Sequence, residues 1–332
     1  MSAVIHIEDA IDAESLKAEY PDFPLEIGAL RFVNDNATGA DWLVATLDLR
    51  HIVSTRVPRE RRILILTEPD TDLSAGYVNQ FGILVSPQFI AGFTGIWHQG
   101  HGALTNRFSR DVTKPGYASA YTYDQLVALQ PPEKRDAVAI VVSRKSLLPG
   151  HRRRLRFVAR LKKVLGDRLD VFGDGHAKIG LKADAILPYK YHLALENTVM
   201  PSYWTEKVAD AYLGFALPLV SGPPDLSRWF PAESFVPIDL GDMAKAIDTV
   251  VAVLDANIYP SRVPAIVEAR NRVIHDERLC PMIARVISAH PNETPRMARA
   301  EAVRPVPKRP PIARVFREIR RIYGRVDMLL RP

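Results

Sequence analysis

The chain has 332 residues, a length that favours two domains. Of these residues, 47% are hydrophobic and 25% are charged, which is ordinary for a globular protein. The net charge of +6 is uneven: residues 291–332 hold 11 basic and 4 acidic side chains, whereas the first 290 residues hold 33 and 34. A body without excess positive charge argues against nucleic-acid binding, so the basic segment is expected to meet some other anionic partner.

Cysteine content and apolar runs bear on the compartment. The single cysteine, Cys280, excludes a disulfide within this sequence and is typical of a reducing environment. The first residues lack the basic and long apolar regions of a signal peptide, and no run of about 18 apolar residues occurs. We therefore expect a cytoplasmic protein without a transmembrane helix.

The first half alternates short apolar runs, rich in β-branched residues, with polar segments, a pattern that predicts buried strands. The runs are Ala3–Ile7, Leu30–Val33, Trp42–Leu47, Arg62–Thr67 and Gly82–Ser86. Residues 87–130 mix glycines with aromatic side chains and are predicted to form loops over a site.

A proline-containing polar stretch, Pro131–Asp136, predicts a linker. Strands are then predicted at Ala137–Ser143, Leu169–Phe172, Tyr191–Leu195, Ala216–Val220 and Ser234–Ile238. Helices are predicted at Arg152–Leu165, about 204–214, Asp242–Leu254 and within 256–290. Alternating strands and helices build a parallel, doubly wound sheet. The sequence thus predicts two Rossmann-like α/β domains facing across a cleft, over residues 1–132 and 133–290.

Residues 291–332 form a third, basic region. Four prolines in residues 303–311 predict an extended connector, and residues 312–330 repeat apolar side chains at helical spacing opposite an arginine-rich face. Two interpretations of this amphipathic helix stay open. It lies on an anionic membrane surface, which would make the protein peripheral on the inner membrane, or it packs on the body.

One stretch in the second half combines a strand, a loop and a helix start. The strand is predicted to end at Glu196–Asn197 and the helix to begin near Thr205. A helix N-terminus offers free N–H groups and a partial positive charge that suit phosphate, and Lys207 adds a full charge. Glu206 can accept hydrogen bonds from sugar hydroxyls, and Tyr203 can lie against a ring. The alternative is that Thr205 only caps a helix whose first charges are solvated.

From Lys190 to Gly222, the order Tyr-His-Leu-Ala-Leu-Glu-Asn-Thr, Tyr-Trp-Thr-Glu-Lys and Leu-Pro-Leu-Val-Ser-Gly resembles the donor-binding signature of glycosyltransferase family 10, the α-1,3/1,4-fucosyltransferases, in its bacterial form. The resemblance implies the GT-B architecture and an inverting, metal-independent transfer of fucose from GDP-fucose to a hydroxyl of an oligosaccharide or lipid-linked glycan, with no cofactor. It also implies donor-binding roles for Asn197, Tyr203, Glu206, Lys207 and Gly222.

The same resemblance points to an arginine at the start of the first helix of the nucleotide domain. Arg154 occupies that position, although Arg152, Arg153 and Arg156 leave the register open. A guanidinium suits a diphosphate because it can form two parallel hydrogen bonds. The turn Phe172–Gly175 resembles a family turn at which the backbone approaches the nucleotide.

Glu68 is the candidate catalytic base, because it follows the predicted strand Arg62–Thr67 where the family carries a glutamate after the corresponding strand. Here Pro69 follows Glu68 directly, which departs from the family pattern; the alternative is a surface glutamate. Asp70–Asp72 spells a D-x-D sequence, which we interpret as a loop rather than a metal site. Trp97 and His98 are predicted to line the acceptor side, with a core role as the alternative for Trp97.

Two other functions remain open from the sequence. One is a related transferase that uses a different nucleotide sugar, because nothing in the sequence specifies guanine or fucose directly. The other is a non-catalytic nucleotide-sugar-binding protein, which would need Lys207 but not Glu68.

Overall fold

The structure is a computed structural model, and it describes residues 3–8, 17, 20, 25–34, 39–46, 53–66, 69, 73–100, 108, 121–144, 146, 149–290 and 301–304. Glu68, the D-x-D sequence at 70–72 and the predicted helix at 312–330 lie outside these residues.

The described strands are, in chain order, β1 (Ala3–Glu8), β2 (Leu25–Ile27), β3 (Leu30–Val33), β4 (Trp42–Thr46), β5 (Val53–Thr55), β6 (Arg62–Ile65), β7 (Ile83–Ser86), β8 (Ile96–Gln99), β9 (Arg135–Val141), β10 (Leu169–Phe172), β11 (Tyr189–Leu195), β12 (Leu217–Ser221), β13 (Val236–Pro237) and β14 (Glu301–Val303). The described helices are α1 (Ala75–Val78), α2 (Tyr123–Ala128), α3 (Pro149–Leu165), α4 (Glu206–Leu213), α5 (Met243–Asp255), α6 (Tyr259–His275) and α7 (Leu279–Ser288).

Two sheets carry the fold. The first has the order β2-β3-β1-β4-β6-β7-β8 and is parallel except for the β2–β3 pair. The second has the order β10-β9-β11-β12-β13 and is parallel throughout. Such sheets are buried on both faces, which explains why β4, β6 and β7 consist entirely of buried residues.

Most predicted strands are observed, and Leu169–Phe172 has the same bounds in the structure. The short strands β2, β5 and β8 were not predicted, and β8 and α2 lie in the segment 87–130 that was predicted to be loops. The predicted strand Ser234–Ile238 is reduced to Val236–Pro237 at the edge of its sheet. Proline lacks the N–H that a longer ladder would need, so edge strands tolerate it and stay short.

The helix α7 packs on the first sheet, although the sequence analysis assigns residues 133–290 to the second domain. Its apolar side chains, among them Leu279, Ile283 and Ile287, share a core with Ile5 of β1 and Ile63 of β6. The sequence shows that this helix has an apolar face but not which sheet the face covers. The first domain is therefore completed by a segment from the far end of the chain.

The helix α2 is displaced in the opposite sense. The sequence analysis assigns its residues to the first domain, yet Leu126 lies in the core of the second, and the Leu126 carbonyl accepts a hydrogen bond from the buried Arg270 of α6. Tyr123 of α2 also donates or accepts a hydrogen bond with His275, at 2.9 Å. These contacts move the boundary of the second domain to a position before residue 121.

After α7 the chain returns to the first domain a second time. The strand β14 pairs antiparallel with β5, and Glu301 accepts a hydrogen bond of 2.6 Å from the buried Arg62. The Arg62 Nε also donates to the Val57 carbonyl at 2.9 Å. This pairing fixes residues 301–304 on the first domain.

Across the described part of the chain, no helix by itself combines the length and apolarity needed to cross a bilayer; α5 and α6 reach that threshold only when taken together, across a bend of 105°. Both helices bury apolar side chains in the core of the second domain, including Val250 and Ile274.

Candidate donor-binding site

The strand order of the second sheet by itself indicates where a ligand site lies. The order β10-β9-β11-β12-β13 means that the chain leaves β9 toward one neighbour and later returns to the other side. Parallel sheets bind ligands at the carboxyl ends of the strands beside such a reversal. Ser143 follows β9, Gly173 follows β10 and Glu196 follows β11, so all three lie at this edge.

A buried carboxylate organises the edge. Glu196 is 4% exposed, and its Oε1 accepts hydrogen bonds from the backbone N–H of Thr205 at 3.0 Å and from the Thr205 hydroxyl at 2.7 Å. Its Oε2 accepts from Lys207 Nζ at 3.0 Å. The same Thr205 is the N-cap of α4, and its hydroxyl accepts from the Lys207 backbone N–H at 3.4 Å. The strand end and the helix start are thus tied through one side chain.

Lys207 carries a positive charge at this position. Burial opposes the charged form, but the carboxylates of Glu196 and Glu206 outweigh that effect and raise the pKa of Lys207. Its ammonium group also contacts the Thr205 hydroxyl at 2.9 Å and Glu206 Oε1 at 3.5 Å. Since the Lys207 and Glu206 side chains are 23% and 28% exposed, both remain accessible from the edge of the sheet.

Arg154 supplies a second cation. Of the four arginines between residues 152 and 156, it is the one that is buried, and its Nη1 donates to the Asn197 side-chain oxygen at 2.8 Å. Burial lowers the pKa of Arg154, while Glu196 and Glu206 counteract that effect. The Arg154 Nε is buried without a hydrogen-bond partner among the described residues. A desolvated donor of this kind is costly unless a further acceptor reaches it.

Close backbone approach brings α3 onto this edge. A Cβ on Gly150 would overlap the Asn197 carbonyl oxygen, so only glycine lets the helix start so near β11. Gly222 follows β12, and a Cβ there would lie 3.4 Å from the Glu196 Cγ. Tyr203 is 4% exposed and packs in the loop before Thr205.

Beside this cluster lies a cavity of about 550 Å³ at the carboxyl ends of β9 and β10. Its walls include Val142, Ser143, the turn Gly173–His176 and Lys178. Gly173 has φ +111°, and a Cβ there would press on the Val142 backbone, so this turn requires glycine. The Arg144 Nη2 donates to the Gly175 carbonyl at 2.8 Å, which ties this turn to the segment after β9.

The two residues predicted on the acceptor side are placed differently. Trp97 donates to the Ser86 hydroxyl at 3.0 Å and packs against a core of the first domain, in agreement with the core alternative. His98 faces a smaller cavity, of about 280 Å³, that is lined by both domains. Its Nε2 lies 2.6 Å from the Nε2 of His290. Burial, followed by the nearby His290, lowers the pKa of His98.

Comparison with known proteins bears directly on the segment that forms this edge. Residues 131–259 match the model described as glycosyltransferase family 10 (fucosyltransferase), C-terminal domain. This segment of the chain is therefore similar to the C-terminal domain of glycosyltransferase family 10. The match begins at the predicted linker and covers every residue of the cluster around Glu196.

Curated relatives agree over the same part of the chain. A putative fucosyltransferase-like protein of Arabidopsis thaliana is 32% identical over 139 residues, which is 41% of this chain and 26% of that protein. A 4-galactosyl-N-acetylglucosaminide 3-alpha-L-fucosyltransferase of Homo sapiens is 33% identical over 91 residues, which is 26% of this chain and 25% of that protein. The chain thus spans about a quarter of the length of these relatives.

Solved structures extend the likeness to the whole fold. An alpha1,3-fucosyltransferase with GDP matches with a TM-score of 0.51 and 17% identity, over 82% of this chain and 90% of that one. A second alpha1,3-fucosyltransferase structure matches with a TM-score of 0.50 and 18% identity, over 79% and 80%. These matches confirm the predicted GT-B fold of two Rossmann-like domains.

Within the segment that matches the family model, the structure brings together five of the predicted donor residues around Glu196: Arg154, Asn197, Glu206, Lys207 and Gly222. The central role of Glu196 itself was not predicted, although it stands in the matching motif. The close approach of Gly150 gives no sequence signal beyond a glycine at a helix start. Among the described residues, no group of three or more His, Cys, Asp or Glu side chains could hold a metal ion.

The Glu196–Lys207 pair generates a test of stability. In Lys207→Met, the Glu196 carboxylate stays buried without its cation, so the free energy of unfolding should fall by about 3–5 kcal/mol in urea titrations. Adding Glu196→Gln should recover much of that loss because the buried charge is gone. Lys245→Met, which removes an exposed lysine from the first turn of α5, is the matched control. A loss in Lys207→Met no larger than in Lys245→Met would contradict the assigned pair.

Proposed function

We propose that this protein is an inverting, metal-independent glycosyltransferase that transfers fucose from GDP-fucose to a carbohydrate hydroxyl of a glycan or glycolipid. The observation that carries the proposal is the pair of cations, Arg154 and Lys207, held by Asn197 and Glu196 at the carboxyl edge of a family 10 domain. The alpha1,3-fucosyltransferase of similar fold was solved with GDP, which makes a sugar linked to guanosine diphosphate the first donor to test.

Charge and geometry support the role of the two cations. A diphosphate carries several negative charges, and Arg154, Lys207 and the N-terminus of α4 offer positive charge from two elements. Side-chain cations can balance the charge that develops on the leaving diphosphate, which is the task a divalent metal performs elsewhere. Glu206, partly exposed beside Lys207, is proposed to accept hydrogen bonds from donor hydroxyls, and Tyr203 and Gly222 to shape the loop around them.

The larger cavity beside the cluster supports a place for the nucleoside. Its volume of about 550 Å³ falls within the range of small-molecule sites, roughly 300–1,000 Å³. The glycine turn at 173–175 forms part of the wall of this cavity. A related transferase with another nucleotide sugar would use the same cations but differ in its base or its sugar, so binding of a panel of GDP- and UDP-sugars separates these two candidates.

An inverting transfer needs one base that removes the acceptor proton while the bond to the diphosphate breaks. Glu68 is proposed for that role. The chain leaves β6 through the buried Leu66, whose backbone N–H donates to the Val85 carbonyl at the carboxyl edge of the first sheet. The 280 Å³ cavity, with His98 on its wall, is proposed to receive one sugar ring of the acceptor.

The donor cations generate the central test. In Arg154→Met the affinity for GDP, measured by calorimetry, should fall roughly 10- to 150-fold, because a charge-assisted contact contributes about 1.5–3 kcal/mol. Arg156→Met, an exposed arginine two positions along α3, should bind as the unaltered protein does. A chelator should leave GDP binding unchanged. Equal affinity in the two variants, or preference for UDP over GDP, would exclude this donor assignment.

Glu68 generates a separate test of chemistry. Glu68→Gln keeps the shape but removes the base, so the release of GDP from GDP-fucose at saturating donor should slow by about 10²–10⁴-fold. The dissociation constant for GDP should stay at its original value. Glu60→Gln, an exposed glutamate on the amino side of β6, is the control. Equal turnover with and without Glu68 would exclude it as the base, whereas a protein that binds GDP-fucose but releases no GDP would support the non-catalytic binding alternative.

The basic segment is proposed to bring the enzyme to lipid-linked acceptors as a peripheral protein of the cytoplasmic membrane face. An arginine-rich amphipathic helix gains about 1 kcal/mol per basic residue near an anionic surface. Full-length protein should float with vesicles that contain anionic phospholipid, and a variant ending at Val303 should not. Flotation of both, or of neither, would leave residues 312–330 as an element that packs on the body.

A further inference from the structure

The loop between β11 and α4 contains an unusual backbone conformation. Ser202 is completely buried and has φ +57°, a left-handed conformation that non-glycine residues adopt at a cost. It precedes Tyr203 and Thr205, so its conformation sets where Thr205 meets Glu196. Residues 198–204 are called the donor loop below.

Asp225 holds Ser202 in this conformation from outside the loop. Its Oδ1 accepts from the Ser202 backbone N–H at 2.7 Å, and its Oδ2 accepts from the Ser202 hydroxyl at 2.9 Å. Burial would raise the pKa of Asp225, but the hydrogen bonds from Ser202 and Arg228 outweigh it and lower that pKa. The carboxylate is therefore ionised and engaged on both oxygens.

Arg228 connects this pair to the other domain. Its Nη1 lies 3.2 Å from Asp225 Oδ2, 3.3 Å from the Ser202 hydroxyl and 3.3 Å from Gln99 Oε1. Gln99 is the last residue of β8, in the first domain. One guanidinium nitrogen thus faces two acceptors that belong to the donor side and one that belongs to the opposite side of the cleft.

The neighbouring residue reinforces the same connection. Trp229 lies 6.1 Å from Trp204, centroid to centroid, and its carbonyl accepts from Arg272 at 2.9 Å. A Cβ on Gly100, directly after Gln99, would lie 3.8 Å from the Trp229 ring. The segment that carries Arg228 is therefore anchored on α6 and abuts the first domain.

We propose that Arg228 is a positioning residue that couples the approach of the first domain to the conformation of the donor loop. When Gln99 accepts from Arg228, the guanidinium is held over Asp225 and Ser202, and Thr205 stays in place to hold Glu196 and Lys207. Donor affinity then depends on a residue of the opposite domain. This inference rests on the proposed function, because it takes a guanosine diphosphate as the ligand of the loop.

The test is a double-mutant cycle on GDP affinity, measured by calorimetry. Gln99→Ala and Arg228→Ala should each weaken GDP binding by at least about threefold, and the double variant should be no weaker than Arg228→Ala, because interacting residues are not additive. Gln99→Glu should restore the affinity at low salt and lose part of it at high salt, since it replaces a neutral contact by an ion pair. Gln80→Ala, a glutamine whose contacts stay within the first domain, should bind GDP unchanged.

Each outcome decides between distinct claims. If the unaltered protein fails to bind GDP, the proposed function fails at its donor. If it binds GDP and the effects of Gln99→Ala and Arg228→Ala simply add, or Gln99→Ala has no effect, the coupling is excluded while the function stands. Misfolding should not account for the effect of Gln99→Ala, because Gln99 is only half-buried at a strand end. The unfolding temperature of the free protein should therefore be the same with and without this substitution.

Discussion

The site depends on one buried carboxylate that must not be left without a cation. Glu196 directly follows β11 and has no exposed side-chain area, and an ionised group in such a position costs several kcal/mol unless it is paired and hydrogen-bonded. Thr205 and Lys207 meet that requirement, and because Thr205 also caps α4, the start of this helix cannot move without exposing the charge. The distance between strand end and helix N-terminus, on which any phosphate site here depends, is thus set by electrostatics rather than by loop length.

The strand topology of the second sheet brings the remaining residues of the site together. The reversal of strand order around β9 brings α3 against the end of β11, and Gly150 lets the two backbones approach closely enough for Arg154 to reach Asn197. Arg154 and Lys207 are 53 residues apart in the sequence but act on one edge of the sheet. Glu196 and Glu206 both pair with Lys207, while the buried Nε of Arg154 has no hydrogen-bond partner among the described residues and can donate to a further acceptor.

The sequence predicts this part of the molecule well because its signals are local. A short strand such as Leu169–Phe172 is bounded by a charged segment and a glycine turn, and the Glu-Asn, Thr-Glu-Lys and Gly positions lie within one motif. Contacts between residues that are distant in the sequence cannot be predicted from local patterns. The apolar face of α7 does not say which sheet it covers, β8 is half-exposed among glycines, and nothing near Arg228 indicates that its partner is Gln99. Glu68 has a local signal only through its position after a strand.

The residues with local sequence signals lie mainly on the donor side of the cleft, and those without them lie mainly on the opposite side. Residues 131–259, which match the family, contribute Arg228 and Trp229 to the cavity between the domains, whereas His98, Gln99, Glu277 and Arg285 come from outside that segment. In the proposed enzyme, donor binding is therefore built on the segment shared with the family, and the acceptor side is built largely by the rest of this chain. Two returns of the chain to the first domain, through α7 and β14, hold the two sides in one molecule. Through a contact such as Arg228–Gln99, the conformation of the donor loop can then depend on how near the first domain lies, although no covalent connection joins the two at that point.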